Sequence, residues 1–145
     1  MPRSTAAWQA FGTALYRAAG MDEDKAATTA RLQVLTDAMG RRTHGLAMAP
    51  LYLAEIEKGR MAATGEPQVV KDNGLCAVWD GGYLPGLWLM DRALREAMPR
   101  ARRQGMAAIS VRKTHHIGCL AALVKQAADE GFVAQIYNSE PAARR

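Results

Sequence analysis

The sequence predicts an α+β fold in which a helical N-terminal lobe, residues 1–65, precedes part of a mixed sheet flanked by helices, residues 66–145. Apolar residues recur at helical spacing as far as Gly59, whereas from Pro67 onward short extended runs alternate with helical ones. Strand–helix–strand alternation implies parallel pairing through right-handed crossovers, and the Asn73-Gly74 pair favours an antiparallel hairpin. Both kinds of pairing are therefore expected in the sheet.

The first two helices have clear start and stop signals. Ser4 can cap a helix from Thr5 to about Ala19, and Gly20 ends it. Asp22 can cap a second helix, which ends at Gly40. The predicted buried face of the first helix is Trp8, Phe11, Leu15 and Ala18, and the apolar positions of the second are Ala26, Ala30, Leu32, Val34, Leu35, Ala38 and Met39.

The third helix of the lobe follows the tripeptide Thr43-His44-Gly45. Thr43 is the candidate N-cap, and the apolar pattern continues to Gly59. Pro50 lies inside this pattern, and proline inside a helix usually kinks or breaks it. We therefore expect irregular backbone before Leu51.

The second part of the chain predicts a hairpin followed by alternating helices and strands. The strands Gln68–Asp72 and Leu75–Trp79 flank the tight turn at Asn73-Gly74, where both positions favour positive φ, and Asp80-Gly-Gly82 ends the second strand. The later predicted elements are a helix from about Gly86 to Arg103 that contains Pro99, a buried strand from Met106 to Val111, a helix from Gly118 to Glu130 and a strand from Phe132 to Tyr137.

The composition is that of an ordinary globular protein, 49% hydrophobic and 23% charged. No apolar run reaches the roughly 18 residues that a membrane span needs, and the N-terminus does not resemble a signal peptide. The two cysteines, Cys76 and Cys119, are interpreted as reduced thiols of a cytoplasmic protein.

The net charge of +5 raises the question of nucleic-acid binding. No nucleic-acid-binding motif accompanies the charge, so we favour a solvated helix face and a basic tail, and we expect neither a nucleic-acid nor a membrane partner. The basic residues concerned are Arg92, Arg95, Arg100, Arg102, Arg103, Arg144 and Arg145.

The three histidines mark the candidate site. His44 begins one helical pattern, and His115-His116 follow a predicted strand and precede Gly118. Histidine suits proton transfer near neutral pH, and Gly118 would let a ligand approach the backbone. Hydrogen-bonded structural histidines are the alternative. A metal site is not expected, because adjacent histidines point in different directions on regular backbone and no third ligand is near except Cys119.

Nothing in the sequence matches a dinucleotide-binding glycine fingerprint. The nearest stretch, Gly81 to Gly86, has the wrong spacing and carries Pro85 just before the helix.

Six motifs occur in a particular order: Asp37-Ala-Met-Gly40, Thr43-His44-Gly45-Leu46, Pro50-x-Tyr52, Ile56-Glu-Lys-Gly59, Trp79-Asp80-Gly81 and Val111-Arg112-x-Thr114-x-His116-x-Gly118. Together they resemble the malate/L-lactate dehydrogenase family of non-Rossmann oxidoreductases, which includes ureidoglycolate and sulfolactate dehydrogenases. The resemblance extends from the first helix to Asn138-Ser139. It implies a helical lobe beside a nucleotide-binding mixed-sheet domain, and a homodimer.

The resemblance also implies a reaction and a set of residues. The reaction is hydride transfer between NAD or NADP and a small 2-hydroxy or 2-keto acid. His44 and His116 are the two acid/base candidates, and Arg112 and Tyr52 are the substrate-binding candidates. The residues implied in cofactor binding are Thr43, Thr114, Gly118, Asn138 and Ser139.

Two departures from the family pattern bear on activity. Met48 stands where many members have an arginine that can grip a substrate carboxylate. The sequence also ends at Arg145, without the later Gly-Thr-Asn-Pro segment that helps to bind the dinucleotide. We therefore expect an N-terminal portion of such a dehydrogenase that does not turn over alone. The alternative is a non-catalytic dimerising remnant or binding module.

Overall fold

The computed structural model describes residues 4–139, which form five α-helices, two 3₁₀ turns and one three-stranded sheet. The helices are α1 (Thr5–Ala18), α2 (Glu23–Ala38), α3 (Ala49–Glu57), α4 (Gly86–Gln104) and α5 (Leu120–Asp129), and the strands are β1 (Gln68–Asp72), β2 (Cys76–Asp80) and β3 (Ala108–Arg112). The 3₁₀ turns, Arg42–His44 and Leu46–Met48, lie between α2 and α3.

Helix α1 has the predicted cap but only part of the predicted buried face, of which Leu15 packs on the core. The Ala7 amide donates to Ser4 Oγ at 3.2 Å, which confirms the cap. Trp8 and Phe11 are 41% and 48% exposed, so the prediction that they are buried was wrong. The helix instead packs through Gly12 and Tyr16, because only glycine at position 12 lets α2 come so close; a Cβ there would lie 2.9 Å from the Ala30 side chain.

Helix α2 is the central helix and contacts α1, α4 and α5. It begins after Asp22 as predicted, but the Asp22 carboxylate caps no backbone amide of the helix. It instead lies 2.9 Å from Lys25 Nζ and accepts from the Gly65 amide at 3.3 Å. The start of the helix is thus correctly predicted, while the side chain expected to cap it ties the helix to the segment before β1.

The segment between α2 and α3 is irregular, as Pro50 led us to expect. Pro50 lies in the first turn of α3, where the missing N–H has no partner to lose. Thr43 does not cap a helix, so that prediction was wrong. It lies inside the first 3₁₀ turn, and its Oγ1 is 2.9 Å from His44 Nδ1.

The sheet is mixed, as predicted, with strand order β1-β2-β3. β1 pairs with β2 antiparallel, and β2 pairs with β3 parallel. The hairpin forms at the expected place, but only Gly74 has positive φ, and β2 begins at Cys76 rather than Leu75. The Asn73 side-chain oxygen accepts from the backbone amides of Leu75 and Cys76 and so closes a wider turn than the predicted one.

Two predictions about the later strands were wrong. β3 is not buried, because it lies at an edge of the described sheet and only Ile109 and Val111 are half-buried. Within residues 4–139, the segment from Phe132 to Tyr137 pairs with no strand. Its side chains alternate between exposed and half-buried, and Ile136 packs on the core, so it has the pattern of a strand without a backbone partner.

Two groups of buried side chains form the core. The larger one joins the helical part to α4 and α5, and the smaller one lies between the sheet and α4. The larger group includes Tyr16, Ala30, Leu32, Tyr52, Met61, Leu87 and Leu123, and the smaller one Ala77, Trp79, Leu84, Trp88, Leu89 and Ala93. The division at residue 65 stays a prediction. None of the helices within residues 4–139 has the length and apolar character needed to cross a bilayer.

Candidate active site

An open cleft of about 390 Å³ lies between the turn before α3 and the start of α5. This volume is within the range of small-molecule sites. Its lining residues are Arg41, Thr43, His44, Gly118, Cys119, Leu120 and Ala121. Three of the predicted site residues, Thr43, His44 and Gly118, therefore line one cleft, although they are far apart in sequence.

Of the two predicted acid/base residues, His44 lines the cleft, and His116 lies directly against the His44 ring without being a lining residue. The rings of His44 and His116 stack with their centroids 5.7 Å apart and their planes inclined by 21°. Thr43 Oγ1 lies 2.9 Å from Nδ1 of His44. Two imidazoles, one from the helical part and one from the segment after β3, are thus brought into contact although they are 72 positions apart in sequence.

The position of His44 depends on Asp37, which lies on α2. Asp37 Oδ2 accepts the Leu46 amide at 2.9 Å, and Oδ1 occupies the space where a Cβ on residue 45 would be, 1.9 Å away. Gly45 is therefore required sterically, and the carboxylate holds the backbone on the C-terminal side of His44. Sequence reasoning included Asp37 in a motif but missed this role.

His116 is fixed by contacts to its ring and to its backbone. Tyr52 Oη lies 3.0 Å from Nδ1 and 3.1 Å from the carbonyl oxygen of His116. Burial, with a smaller contribution from Tyr16, raises the pKa of the Tyr52 phenol above its usual range, so this group remains an O–H donor. The backbone of the same segment also lies against the start of α4: a Cβ at Gly86 would lie 2.3 and 2.4 Å from the carbonyl oxygens of His115 and His116, so only glycine allows α4 to begin there.

His115 belongs to a different set of contacts. Its Nε2 lies 3.3 Å from Glu55 Oε2, and Glu55 also accepts from Arg60. The Arg60 guanidinium, and then the His115 hydrogen bond, lower the pKa of Glu55 to about 2. The adjacent histidines thus diverge, as expected for neighbours on extended backbone, and it is His116 that reaches His44.

Gly118 has two reasons to be glycine. Its φ is +64°, and a Cβ would lie 2.6 Å from Leu87 Cδ2. The residue therefore turns the chain into α5 while the backbone packs against α4 at the floor of the cleft.

The remaining predicted residues, His116 among them, lie outside the cleft lining. Thr114 Oγ1 donates to the His115 carbonyl at 3.0 Å. The Arg112 side chain is 60% exposed and binds Asp80 at 3.1 Å. Asn138 and Ser139 are exposed at the end of the described chain. Tyr52 is fully buried and reaches the site through His116. Their substrate and cofactor roles stay predictions.

Arg41 is a cleft residue that sequence reasoning missed. Its side chain is exposed in the cleft, and no carboxylate within the described residues lies within 4.0 Å of it. The available signal was the Arg41-Arg42 pair directly before Thr43-His44-Gly45. In the described part of the chain, no three His, Cys, Asp or Glu side chains are grouped as a metal ion would require.

Comparison with known proteins agrees with the fold and the motifs. The sequence model of the malate/L-lactate dehydrogenase family matches residues 4–144. A (2R)-3-sulfolactate dehydrogenase (NADP(+)) of Chromohalobacter salexigens is 29% identical over 135 residues, 93% of this chain and 40% of that protein. Hydroxycarboxylate dehydrogenase B of Escherichia coli is 28% identical over 123 residues, 85% of this chain and 34% of that protein.

Solved structures show the same fold. Malate dehydrogenase from Entamoeba histolytica superposes with a TM-score of 0.86 at 25% identity, covering 90% of this chain and 37% of that one. Sulfolactate dehydrogenase from Methanocaldococcus jannaschii has a TM-score of 0.84 at 22% identity, covering 90% and 38%. The predicted fold class is thereby confirmed, and the chain spans about two-fifths of the length of the proteins it matches. It belongs to the malate/L-lactate dehydrogenase family.

Proposed function

We propose that the cleft lined by His44, together with the His116 ring stacked on His44, is the acid/base side of a site that exchanges a hydride between NAD or NADP and a small 2-hydroxy or 2-keto acid. The observation that carries the proposal is the stacking of the two imidazoles, 5.7 Å apart, beside a cleft of ligand size. The names of the relatives support the substrate class, since they include sulfolactate, hydroxycarboxylate and malate dehydrogenases.

The chemistry requires a proton donor next to the substrate oxygen. When a 2-keto acid is reduced, negative charge develops on the ketone oxygen as the hydride reaches carbon, and an imidazolium can deliver the compensating proton. A well-placed acid of this kind contributes on the order of 10²–10⁴ in rate. His44 and His116 are both candidates for this proton donor.

The acid also needs a partner for its carboxylate. Met48 is half-buried and packs against the larger core group, so it offers nothing to an anion. Arg41 lines the cleft beside His44, and a guanidinium matches a carboxylate with two parallel hydrogen bonds. We therefore propose Arg41 as the carboxylate anchor in this chain.

The nicotinamide cofactor supplies the hydride or accepts it when bound. Of the residues assigned to the cofactor by resemblance, Thr43 and Gly118 line the cleft, where Thr43 offers a hydroxyl and Gly118 has no side chain to obstruct a ligand. We propose that these two residues lie against the nicotinamide.

The site is tested on the purified 145-residue chain with selectively ¹⁵N-labelled histidine. Addition of pyruvate is expected to shift the His44 and His116 resonances together, and Arg17→Gln, on the outer surface of α1, serves as a variant that leaves this response unchanged. Absence of any response of both rings up to millimolar pyruvate would contradict the proposed site.

We further propose that this chain alone does not catalyse turnover of the acid substrate, and that it forms a homodimer in the cytoplasm. Steady oxidation of NADH or NADPH with pyruvate or oxaloacetate would contradict the first part. The exposed aromatic pair Trp8 and Phe11 on α1, in edge-to-face contact at 6.0 Å, favours an association surface. A defined dimer by sedimentation without pyruvate or nucleotide binding would instead favour the non-catalytic dimerising module.

A further inference from the structure

The Tyr52 hydroxyl contacts two atoms of one residue. It lies 3.0 Å from the ring Nδ1 of His116 and 3.1 Å from the backbone oxygen of the same residue. Tyr52 is 0% exposed, so water does not compete for these contacts. Its ring also meets the rings of Tyr16 at 6.1 Å and His115 at 6.2 Å, which leaves it little freedom to turn away.

The number of hydrogens decides between two arrangements. A carbonyl oxygen can only accept, and a tyrosine hydroxyl has a single hydrogen. If that hydrogen pointed to Nδ1, two oxygen atoms 3.1 Å apart would face each other with no hydrogen between them, at a tyrosine that is buried from solvent. If it points to the carbonyl, the hydroxyl oxygen is available to accept a hydrogen from Nδ1, and all three polar atoms are satisfied.

We propose that Tyr52 is a positioning residue that keeps the neutral His116 ring in its Nδ1–H form, so that Nε2 is the atom that exchanges the proton. The tautomer of a histidine is set by the hydrogen bond that its other nitrogen makes. In the direction of reduction, protonated Nε2 gives its proton to the ketone oxygen as the hydride reaches carbon. The ring is then left neutral with its hydrogen on Nδ1, facing Tyr52.

The use of that proton rests on the proposed function, whereas the tautomer itself does not. The tautomer is a property of the folded chain and can be measured without substrate, cofactor or turnover. Failure of the proposed function would therefore show as intact tautomer control with no response to pyruvate. Failure of this inference would show as the wrong tautomer, whatever pyruvate does.

The experiment is histidine ¹⁵N NMR on the full chain at a pH where the His116 ring is neutral. In the wild type we expect Nδ1 to resonate as a protonated, pyrrole-type nitrogen and Nε2 as an unprotonated, pyridine-type nitrogen. In Tyr52→Phe we expect the assignment to invert toward the Nε2–H form, which is the more populated tautomer of the free side chain.

Tyr16→Phe is the matched control. Tyr16 is an equally buried tyrosine of the same core group, but its hydroxyl contacts Gln33 Oε1 at 2.6 Å. We expect this variant to lose comparable stability and to keep the wild-type pattern at His116. A wild-type Nε2–H ring, or a Tyr52→Phe ring that keeps the Nδ1–H form, would overturn the proposal. Because the wild-type spectrum alone decides the first point, the test holds even where Tyr52→Phe folds poorly.

Discussion

At the scale of single residues, the cleft lining combines the Arg41 guanidinium with the His44 imidazole, on which His116 stacks. A contact with the proposed anchor, Arg41, can be distinguished from the effect of overall charge. Arg41→Gln is expected to raise the Kd for pyruvate about ten-fold or more, since a charge-assisted hydrogen bond contributes on the order of 1.5–3 kcal/mol. The measurement is the pyruvate titration of the His44 resonance.

Arg42→Gln is the control, because Arg42 is the next residue but does not line the cleft. It changes net charge equally and is expected to alter the Kd for pyruvate by much less. Equal effects of the two variants would show that the anion responds to the overall field of the protein and not to a contact with Arg41.

Substitution of Gly118 tests whether close packing against Leu87 requires a glycine just before α5. Gly118→Ala is expected to lose about 1–2 kcal/mol for a left-handed backbone and about 1–3 kcal/mol more for contact with Leu87. Gly131→Ala is the matched variant, because Gly131 has φ +79° and nothing within 4 Å of its would-be Cβ. Urea unfolding of both should show a larger loss for Gly118→Ala, and equal losses would refute the packing argument.

At the scale of elements, α4 binds the β1–β2 hairpin through Arg100 and, at the turn, through Gln104, whose side-chain amide donates to the Gly74 carbonyl at 3.0 Å. Arg100 is 8% exposed and binds both carboxylate oxygens of Asp72 at 2.7 Å. The Arg100 guanidinium, followed by the Gly74 amide, lowers the pKa of Asp72 from 3.8 to about 2. A carboxyl whose folded pKa is lowered stabilises the protein above its unfolded pKa, and this stabilisation is lost as the pH falls through the folded value.

Asp72→Asn should therefore be less stable than the wild type near neutral pH, with the difference shrinking from about pH 4 towards pH 2. The measurement is the urea midpoint of both proteins over that pH range. Glu96→Gln, which removes a half-exposed second partner of the same Arg100, is expected to have a smaller effect at neutral pH. A difference between wild type and Asp72→Asn that did not depend on pH would contradict the assignment.

At the scale of the whole molecule, Arg31 ties the helical part to the part that carries the sheet. From α2 it binds Asp91 of α4 at 2.7 Å and Gln126 of α5 at 3.0 Å. The Asp91 side chain is only 6% exposed, so it depends on its cationic partners. Arg31→Met is expected to cost about 1–3 kcal/mol, because a hydrogen bond to a buried charge is lost.

Arg95→Gln is the comparison, since Arg95 binds the same carboxylate at 2.7 Å but is 65% exposed. We expect it to change the free energy of unfolding by no more than about 1 kcal/mol. Urea unfolding of the two variants decides the matter, and a larger loss in Arg95→Gln would reverse the argument.

The partners of the basic side chains are also visible only in the folded molecule. Four arginines of α4 each contact a carboxylate: Arg92 with Glu66, Arg95 with Asp91, Arg100 with Asp72 and Arg102 with Glu130. In the described part of the chain, the face that looks cationic in sequence is thus largely ion-paired. This observation agrees with the interpretation of the charge as a helix face.

Much of the fold could be predicted because its signals are local. Caps, glycine stops and the Asn73-Gly74 turn act within a few residues, so the starts and ends of α1, α2, α4 and the hairpin were close to their predicted places. The exposure of Trp8 does not follow from local signals, because it depends on helix α2 packing on Gly12, which leaves the aromatic side of α1 facing outward. The strand pattern after Phe132 likewise needs a backbone partner that sequence periodicity cannot supply.

The sequence by itself determined the family, the order of the elements as far as α5 and the two histidines to examine, since these depend on residue types and their spacing. Only the tertiary structure decided that His44 and His116 stack and that the Tyr52 hydroxyl contacts His116. It also decided that Arg41 lines the cleft, whereas Arg112 binds Asp80 outside it. The physical reason is that these contacts join residues dozens of positions apart. Their distances are set by how α2, α3 and α4 pack, which no local pattern encodes.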